Sequence, residues 1–358
     1  MIKFGIIGCG WIAEKVYLPL LKSFDNACLH AIFDTDEKKL VSLKEKYEIP
    51  VISNSFKDFL KLPFDAVIIA TPNDTHSYYT NCSLEGGKHV LCEKPVAFSK
   101  LEIEETIAIA KKNNKVFFPA LVNRFRKDVQ YLKGKSCEIG KITDIEVSWV
   151  RKSGIPKLGS WITNKSYAGG GALIDIGTHI IDIGLMFIKE PKVKSVEAKF
   201  GIADNIEKYQ SSWNYTKSNV SLPINVETCS YGKILFNDVV MNYNVNWCAD
   251  VVEDMTCIRL CGERGSIFLR TLFGFSKNYI QDKLEFSIEK NNVIKETIFF
   301  PIENSFAIDA FKRLLSTFID SIEGRDNPFL KMNDAIYVVD VIEELYRGQG
   351  DKTYVHRI

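Results

Sequence analysis

The first thirteen residues constrain the fold of this chain more than any other segment. Residues 2–7 form a short apolar run that leads directly into a G-x-G-x-x-A turn at residues 8–13. Apolar residues then recur with the spacing of one helix face, at Val16, Leu18, Leu20 and Leu21. The segment therefore predicts a strand, a tight turn and a helix, the arrangement that holds the pyrophosphate of a dinucleotide.

Each position of this turn has a physical reason. Gly8 lets the chain turn sharply, and Gly10 lets phosphate groups approach the backbone because it has no side chain. Ala13 is small enough for the helix to lie close to the strand. The start of the helix then offers free N–H groups and a positive dipole to an anion. We therefore place Gly8, Gly10, Trp11 and Ile12 in the cofactor-binding set.

Asp34 is predicted to select the cofactor. It ends a second predicted strand, residues 27–33, near the distance from the glycine turn at which a carboxylate accepts hydrogen bonds from the ribose hydroxyls. The residue is also suited to capping the helix that starts near Glu37, and the two roles are compatible. An acid here repels the 2′-phosphate of NADP, so we predict NAD. NADP stays an alternative because Lys38 and Lys39 lie close by.

Composition indicates a globular protein rather than a nucleic-acid or membrane protein. The chain has 358 residues, is 46% hydrophobic and 25% charged, and carries a net charge of +1. This length suits two domains, and the charge gives no electrostatic case for nucleic acid or a membrane surface. No apolar run approaches the ~20 residues of a membrane span. Because the fold is predicted to begin at Ile2, with no room for a signal peptide, we expect a cytoplasmic protein.

The cysteines support a reducing compartment. There are nine, an odd number, and none forms a C-x-x-C pair. We expect buried free thiols rather than disulfides or zinc ligands, mainly at positions within apolar runs, Cys28, Cys92, Cys229, Cys257 and Cys261.

The pattern of predicted helices and strands changes near residue 123, which predicts two domains, 1–123 and 124–358. The first alternates strands and helices, as in a doubly wound parallel sheet, with strands at 64–70, 88–92 and 116–122. Helices are predicted at 74–84 and from Ser99 to 113, where Glu102 completes a capping box. In the second, a helix-like stretch covers 126–132, and Gly169-Gly170-Gly171 open an apolar helix to 188.

The second region also contains long alternating strands without intervening helices, which predicts an antiparallel sheet. They are expected at 142–151, 193–202, 226–235, 238–247, 256–261, 266–270, 283–289 and 293–299. Helices at 305–322 and 331–346 close the chain, and 205–222 is interpreted as a loop or insertion.

Three further groups of residues carry chemistry. Thr71-Pro72-Asn73 with His76, and Glu93-Lys94-Pro95, follow neighbouring strands at the edge where open α/β sheets bind ligands. Asp175 and His179 are four residues apart and share a helix face. An imidazole can take a hydroxyl proton near neutral pH, and a lysine can stabilise a developing oxyanion. Asp175 and His179 also suit a structural pair or two metal ligands, but no His/Cys cluster supplies a third, so we predict no metal.

The chain resembles the Gfo/Idh/MocA oxidoreductases over essentially its whole length. The matching motifs are GCGWIA, ATPNDTH, GKHVLCEKP, NRF, GGGALIDIGTHIID, IRLCGERGSIFL and MNDAIYVVDVIEELY. The resemblance implies an α/β Rossmann N-terminal domain and an α+β C-terminal domain with a large, mostly antiparallel open sheet. It also implies that the final helix packs back on the first domain, and that the sheet face forms a homodimer or homotetramer.

The resemblance also implies roles for individual residues. Lys94 matches a lysine that touches both substrate and nicotinamide, while Asp175 and His179 match a second pair whose histidine usually transfers the proton. Residues implied to line the adenosine and nicotinamide-ribose track are Thr71, Pro72, Asn73, His76 and Glu93. Arg124 and Trp161 fall near substrate or nicotinamide contacts. The charges of Arg124, Arg151 and Lys152 are suited to binding a phosphate or carboxylate. They are equally typical of solvated side chains at the surface.

The implied activity is NAD(P)-dependent oxidation of a secondary hydroxyl, or reduction of the ketone, on a small-molecule polyol. The substrate class spans sugars, inositols and sugar derivatives, including nucleotide sugars. Two alternatives stay open: a redox-neutral glycosidase of the same family that retains NAD, and a non-catalytic NAD(P)-binding sensor. The intact set of Lys94, Asp175 and His179 disfavours the sensor.

Overall fold

The computed structural model describes residues 1–209, 222–276, 278–280, 283–291, 293–301, 305–325, 329–348 and 356–357. The chain divides into two compact units. The first comprises Met1–Leu121 and Phe311–Val339, and the second comprises Val122–Ala310 and Asp340–Ile358. Each unit therefore contains a long stretch of chain and a shorter C-terminal contribution.

The first unit is built on a six-stranded sheet with the order β3-β2-β1-β4-β5-β6. Its strands are β1 (Ile2–Ile7), β2 (Ala27–Phe33), β3 (Val51–Ser53), β4 (Ala66–Ile69), β5 (His89–Cys92) and β6 (Phe117–Pro119). Every neighbouring pair is parallel. The strand order reverses between β1 and β4, and ligands of such sheets bind at the carboxyl ends beside that point.

Helices connect these strands. A π-helical turn (Ala13–Tyr17) continues into α1 (Leu18–Leu21), and the other helices are α2 (Glu37–Tyr47), α3 (Phe56–Leu60), α4 (His76–Glu85) and α5 (Lys100–Lys112). The predicted cap of α5 is confirmed, because the Ser99 side chain accepts a hydrogen bond from the Glu102 amide. The Glu102 carboxylate departs from the expected capping box, since it accepts from the amide of Phe98.

The C-terminal helices α9 (Ser305–Ile322) and α10 (Asp334–Arg347) contribute to this unit. Phe318 of α9 packs edge-on against Phe4 of β1, with ring centroids 6.0 Å apart. Ala335 and Val339 of α10 belong to the same buried cluster as the strand residue Val90. Sequence-distant helices thus complete the apolar core over the parallel sheet.

The second unit is built on a nine-stranded sheet among the described residues, in the order β14-β13-β12-β11-β7-β10-β9-β8-β15. Its strands are β7 (Ile142–Val150), β8 (Ser195–Ile202), β9 (Cys229–Leu235), β10 (Val240–Asn246), β11 (Met255–Gly262), β12 (Gly265–Thr271), β13 (Lys283–Lys290), β14 (Val293–Pro301) and β15 (His356–Arg357). All neighbours are antiparallel except β7 with β10 and β8 with β15. The predicted fold class, a Rossmann unit plus a mostly antiparallel α+β unit, is confirmed.

Helices α6 (Lys127–Lys135), α7 (Lys165–Ala168) and α8 (Thr178–Leu185) belong to the second unit. A π-helical turn, Leu173–Gly177, runs directly into α8, which packs on β7 and β10. A β-carbon on Gly184 of α8 would lie 2.5 Å from Met241 of β10, so the absence of a side chain lets the helix approach the sheet closely.

Several predicted elements needed correction. The strand expected at 116–122 ends at Pro119, and a 3₁₀ turn occupies Val122–Phe125. Strand β3 and helix α3 were not predicted, because at three and five residues they are too short for a clear periodicity. The segment 205–222 begins with a 3₁₀ turn, Ile206–Tyr209, and residues 210–221 lie outside the described residues.

All nine cysteines are free thiols. The expectation of burial holds for Cys92 and Cys229, whereas Cys28, Cys257 and Cys261 are partly exposed. Within the described part of the chain, no helix combines the length and the apolar character that crossing a membrane requires.

Candidate active site

The glycine turn after β1 has the backbone that its sequence predicts. Gly8 has a φ of +88°, and a β-carbon there would lie 2.6 Å from the carbonyl oxygen of Ala70. Only glycine meets both demands. At Gly10 a β-carbon would meet nothing closer than 3.9 Å, and the residue is exposed. Protein packing therefore does not require Gly10, which fits a position that leaves space for a phosphate.

The helix after this turn brings a buried tyrosine to the neighbouring loop. Ala13 is fully buried against the sheet, whereas Trp11 and Ile12 at the start of the helix are half-buried. The Tyr17 hydroxyl donates a 2.6 Å hydrogen bond to the carboxylate of Glu93. The glycine turn and the loop after β5 are thereby connected inside one unit.

Asp34 at the end of β2 contacts the glycine turn directly. Its Oδ2 accepts a 2.8 Å hydrogen bond from the amide of Cys9 and lies 3.3 Å from Nζ of Lys39. Its Oδ1 accepts from the amide of Asp36, and Asp36 rather than Asp34 caps α2. The carboxylate thus lies beside the turn predicted to bind the pyrophosphate, where a ribose of the same dinucleotide would follow.

His76 contacts the backbone of both loops that are predicted to bind the cofactor. Its Nε2 lies 2.9 Å from the carbonyl oxygen of Thr71, and its Nδ1 lies 2.7 Å from that of Pro95. Burial lowers the pKa of His76. Both ring nitrogens therefore lie against backbone carbonyls, and a neutral imidazole donates its one N–H to one of them. Thr71, Pro72 and Asn73, which are predicted to contact the cofactor, are all half-buried.

Glu93 also has a supporting position. Its Oε1 accepts from Tyr17, its Oε2 accepts from the amide of Lys94 at 3.2 Å, and burial raises the pKa of Glu93. The carboxylate therefore orders the backbone at Lys94, the residue predicted to act on the substrate. Lys94 itself is half-buried and precedes a cis peptide bond to Pro95.

Asp175 and His179 lie on the helix of the second unit that packs on the sheet. Between Gly171 and Leu185 every residue is buried except these two. Asp175 accepts a 3.0 Å hydrogen bond from the indole Nε1 of Trp247, which is fully buried. The ring of His179 lies 5.9 Å from that of Trp149. Buried aromatic side chains of the sheet thus support both polar residues.

Arg124, which is predicted to lie near substrate or nicotinamide contacts, is paired with an acidic residue. Arg124 is 5% exposed, and its Nε and Nη2 donate to the carboxylate of Asp182, with a shortest distance of 2.6 Å. Both of these donors thus bond within the protein, and the substrate contact of Arg124 stays a prediction. Arg151 is likewise buried, with Nε 3.5 Å from Asp254. Trp161 is half-buried in a 3₁₀ turn, Trp161–Thr163.

Three residues with contacts in this arrangement were not predicted from the sequence: Tyr17, Asp182 and Trp247. Strand alternation predicts an inward Trp247, but no local pattern links its indole to Asp175. As for metals, among the described residues no group of three His, Cys, Asp or Glu side chains is placed to hold an ion.

The fold and these residues define the class of protein, a dinucleotide-binding α/β oxidoreductase with an additional α+β unit. Residues 2–121 match the model of an oxidoreductase family with an NAD-binding Rossmann fold, and residues 135–268 match the GFO/IDH/MocA C-terminal domain. The chain belongs to the Gfo/Idh/MocA family.

Relatives extend over much or part of the chain. A putative UDP-kanosamine synthase oxidoreductase subunit from Amycolatopsis mediterranei is 27% identical over 280 residues, 77% of each protein. D-glucoside 3-dehydrogenase from Escherichia coli is 34% identical over 200 residues, which are 55% of this chain and 57% of that enzyme. The second match thus spans little more than half of the relative's length.

Solved structures share the fold. KijD10, a 3-ketoreductase from Actinomadura kijaniata in complex with NADP and TDP-benzene, superposes with a TM-score of 0.77 at 18% identity over 97% of both chains. GenD2 from gentamicin A biosynthesis, in complex with NAD, gives 0.78 at 19% identity over 98% of this chain and 94% of GenD2. Both cofactors thus occur on this fold.

Proposed function

We propose that this chain is an NAD(P)-dependent oxidoreductase that interconverts a secondary hydroxyl and a ketone on a sugar, an inositol or a sugar derivative. The observation that carries the proposal is the helix of the second unit, where only Asp175 and His179 emerge from an otherwise buried segment. A polar pair kept accessible on such a helix is typical of a functional site.

The first unit supplies the residues that would hold the dinucleotide. The turn from Gly8 to Ile12 offers backbone N–H groups to the pyrophosphate, Asp34 accepts from the ribose, and Thr71 to Asn73 lie at the same sheet edge. The nicotinamide accepts or provides the hydride when the cofactor is bound. The cradle at Gly10 and the carboxylate at Asp34 fit this group.

The chain's own side chains handle the proton and the charge. His179 takes the hydroxyl proton as the carbonyl forms, and returns it in the reverse direction. Asp175, held by the indole of Trp247, orients the imidazole or a substrate hydroxyl. The ammonium of Lys94 stabilises the negative charge that develops on the reacting oxygen.

We propose NAD as the preferred cofactor. The Asp34 carboxylate, 12% exposed and beside the glycine turn, opposes a 2′-phosphate through charge repulsion. Lys39 lies 3.3 Å from that carboxylate and offsets part of this repulsion, so we expect a preference rather than exclusion of NADP.

The first test is an assay of reduced nicotinamide absorbance with NAD and NADP separately. Because two relatives are a glucoside 3-dehydrogenase and a UDP-kanosamine synthase subunit, the panel begins with hexosides and nucleotide sugars, followed by inositols and sugar phosphates. Turnover with one class supports the proposal. Silence across the panel with NAD still bound to the purified protein favours the NAD-retaining glycosidase.

Lys94→Ala tests the mechanism. We expect kcat to fall about 10²–10⁴-fold, the typical contribution of a positioned proton-transfer or oxyanion-stabilising group, while the Kd of NADH changes little. Lys100→Ala, which removes an exposed lysine at the start of α5, is the matched control and is expected to keep full activity. A kcat near that of the wild type in Lys94→Ala would remove Lys94 from the chemistry.

A further inference from the structure

A buried carboxylate lies at the start of the helix that bears Asp175 and His179. It belongs to Glu227, which precedes β9 and is 9% exposed. Its Oε1 accepts hydrogen bonds from the amide of Gly171 at 2.9 Å and from that of Leu173 at 3.1 Å. The same oxygen accepts a third bond, at 2.8 Å, from the hydroxyl of Tyr346.

The backbone of Glu227 adds to this contact. Its carbonyl oxygen accepts a 3.0 Å hydrogen bond from the amide of Ala172. The amides of three successive residues at the helix start, from Gly171 to Leu173, therefore bond to a single distant residue. These are the N–H groups that a helix leaves without an internal partner, and a negative charge there also interacts favourably with the helix dipole. Helices usually obtain such a cap from a neighbouring residue in sequence.

The three consecutive glycines are explained by the same contact. Gly169 has a φ of +81° and ends α7. A β-carbon at Gly170 would lie 1.9 Å from the Tyr346 hydroxyl, and one at Gly171 would lie 1.9 Å from the carbonyl oxygen of Glu227. Two of the glycines thus make room for Tyr346 and Glu227, rather than providing flexibility.

Tyr346 is itself held in place. Its ring stacks on Phe200 of β8, with centroids 5.3 Å apart and an interplanar angle of 26°. Burial raises the pKa of Tyr346 well above its usual range, so the hydroxyl stays protonated as a donor. Burial also raises the pKa of Glu227, and the bonds from Tyr346 and the two amides oppose that rise. The last helix of the chain therefore reaches the start of the helix that carries the candidate residues.

We propose that Glu227 and Tyr346 are positioning residues for the reaction, fixing the first turn of this helix and thereby the orientation of Asp175 and His179. The inference rests on the proposed function for its catalytic meaning. A displacement of about 1 Å at a reacting group can cost about 10²-fold in rate. The amides that bond to Glu227 begin one turn before Asp175. We therefore expect the loss of these hydrogen bonds to displace Asp175 first.

The test compares Glu227→Gln, Glu227→Leu and Tyr346→Phe in the full chain. Gln keeps one acceptor oxygen without the charge, whereas Leu keeps neither. We expect kcat to be about 10–100-fold below that of the wild type. The decrease should be larger in Glu227→Leu than in Glu227→Gln, and the change in substrate KM should be smaller than the change in kcat. The Kd of NADH should stay unchanged, because the residues proposed to bind it lie in the first unit.

A second readout does not depend on turnover. In protein labelled with ¹⁵N-tryptophan, the indole N–H resonance of Trp247, assigned with Trp247→Phe, reports on its hydrogen bond to Asp175. We expect it to move in Glu227→Gln and Tyr346→Phe. Tyr131→Phe is the matched control, because the Tyr131 hydroxyl on α6 also donates a hydrogen bond to a carboxylate, that of Glu296 at 3.2 Å.

The outcomes separate the two proposals. If Glu227→Gln and Tyr346→Phe lower only the melting temperature, and match Tyr131→Phe in both the Trp247 resonance and kcat, the two residues are structural anchors and the inference is wrong. If the wild-type protein turns over no sugar or inositol while the Trp247 resonance still moves, the positioning holds and the proposed function fails.

Discussion

At the scale of single residues, several polar side chains of the candidate site bond to other parts of the protein. His76 lies between two backbone carbonyls and Glu93 accepts a hydrogen bond from Tyr17, while their contact with a cofactor stays a prediction. Nε and Nη2 of Arg124 likewise donate to Asp182. A motif marks a position as constrained, and burial decides whether the constraint is contact with a ligand or support of a neighbour.

Asp34→Ala tests the cofactor preference. Removing the carboxylate removes both a ribose acceptor and the repulsion of a 2′-phosphate, and leaves Lys39 available to a phosphate. We expect NAD(H) binding to weaken about 10–150-fold, since one hydrogen bond to a charged group contributes about 1.5–3 kcal/mol, and NADP(H) binding to hold or improve. Fluorescence titration with each reduced cofactor measures the ratio.

Asp36→Ala is the matched control for this experiment. Asp36 caps α2, so its loss is expected to cost about 1 kcal/mol of stability without changing the ratio of the two cofactor affinities. An unchanged ratio in Asp34→Ala itself would contradict the ribose assignment.

At the scale of elements, long and strongly patterned segments were predicted well. The Ser99 cap and helix α5 follow from local rules, since the capping side chain and the apolar face lie within a few residues of each other. The short elements β3 and α3 were missed because few residues define their period. The π-helical turn before α8 also has no sequence signal, although such turns are frequent at functional sites.

His89 of strand β5 is expected to make the stability of the protein depend on pH. Nδ1 of His89 accepts a hydrogen bond from the amide of Val116, and burial lowers the pKa of His89 to about 4. Between pH 4 and the usual pKa of ~6.5, the His89 imidazole therefore binds a proton in the unfolded chain but not in the folded chain. This residue's contribution to stability is complete above pH ~6.5 and is lost as the pH falls towards 4.

His89→Asn places an uncharged acceptor where Nδ1 lies. We expect the melting temperature of this variant to decrease less between pH 7 and pH 4.5 than that of the wild type, measured by circular dichroism. His30→Asn, at a partly exposed position of β2, serves as the control and should keep the wild-type slope. Equal slopes in all three proteins would rule out His89 as the source.

At the scale of the whole molecule, the nine-stranded sheet has one face whose side chains stay partly exposed. Strands β7, β11 and β12 bury one set of alternating residues, such as Ile258, while the other set stays partly exposed. On that second face Arg259 lies 5.0 Å from the ring centre of Phe268 and 3.6 Å from Glu146. We propose that this face forms a homodimer or homotetramer interface, as the resemblance to the family implies.

Phe268→Arg tests the proposed interface. A second guanidinium beside Arg259 removes the packed ring and adds a like charge to the interface, so we expect a wild-type dimer or tetramer to become a monomer. Sedimentation velocity measures the change. Leu101→Arg introduces the same residue at a side chain that is 76% exposed on α5 of the first unit, and should leave the assembly intact. A wild-type monomer would refute the proposal.

The sequence by itself determined the parallel sheet, the glycine turn and the placement of polar motifs at strand ends, because these depend on periodicity and backbone demands within a few residues. Only the tertiary structure decided which distant residues support them. Trp247 bonds to Asp175 across 72 positions, Asp182 to Arg124 across 58, and Glu227 to Leu173 across 54. Such pairs depend on the path of the whole chain, which brings buried polar groups to partners that no local pattern specifies.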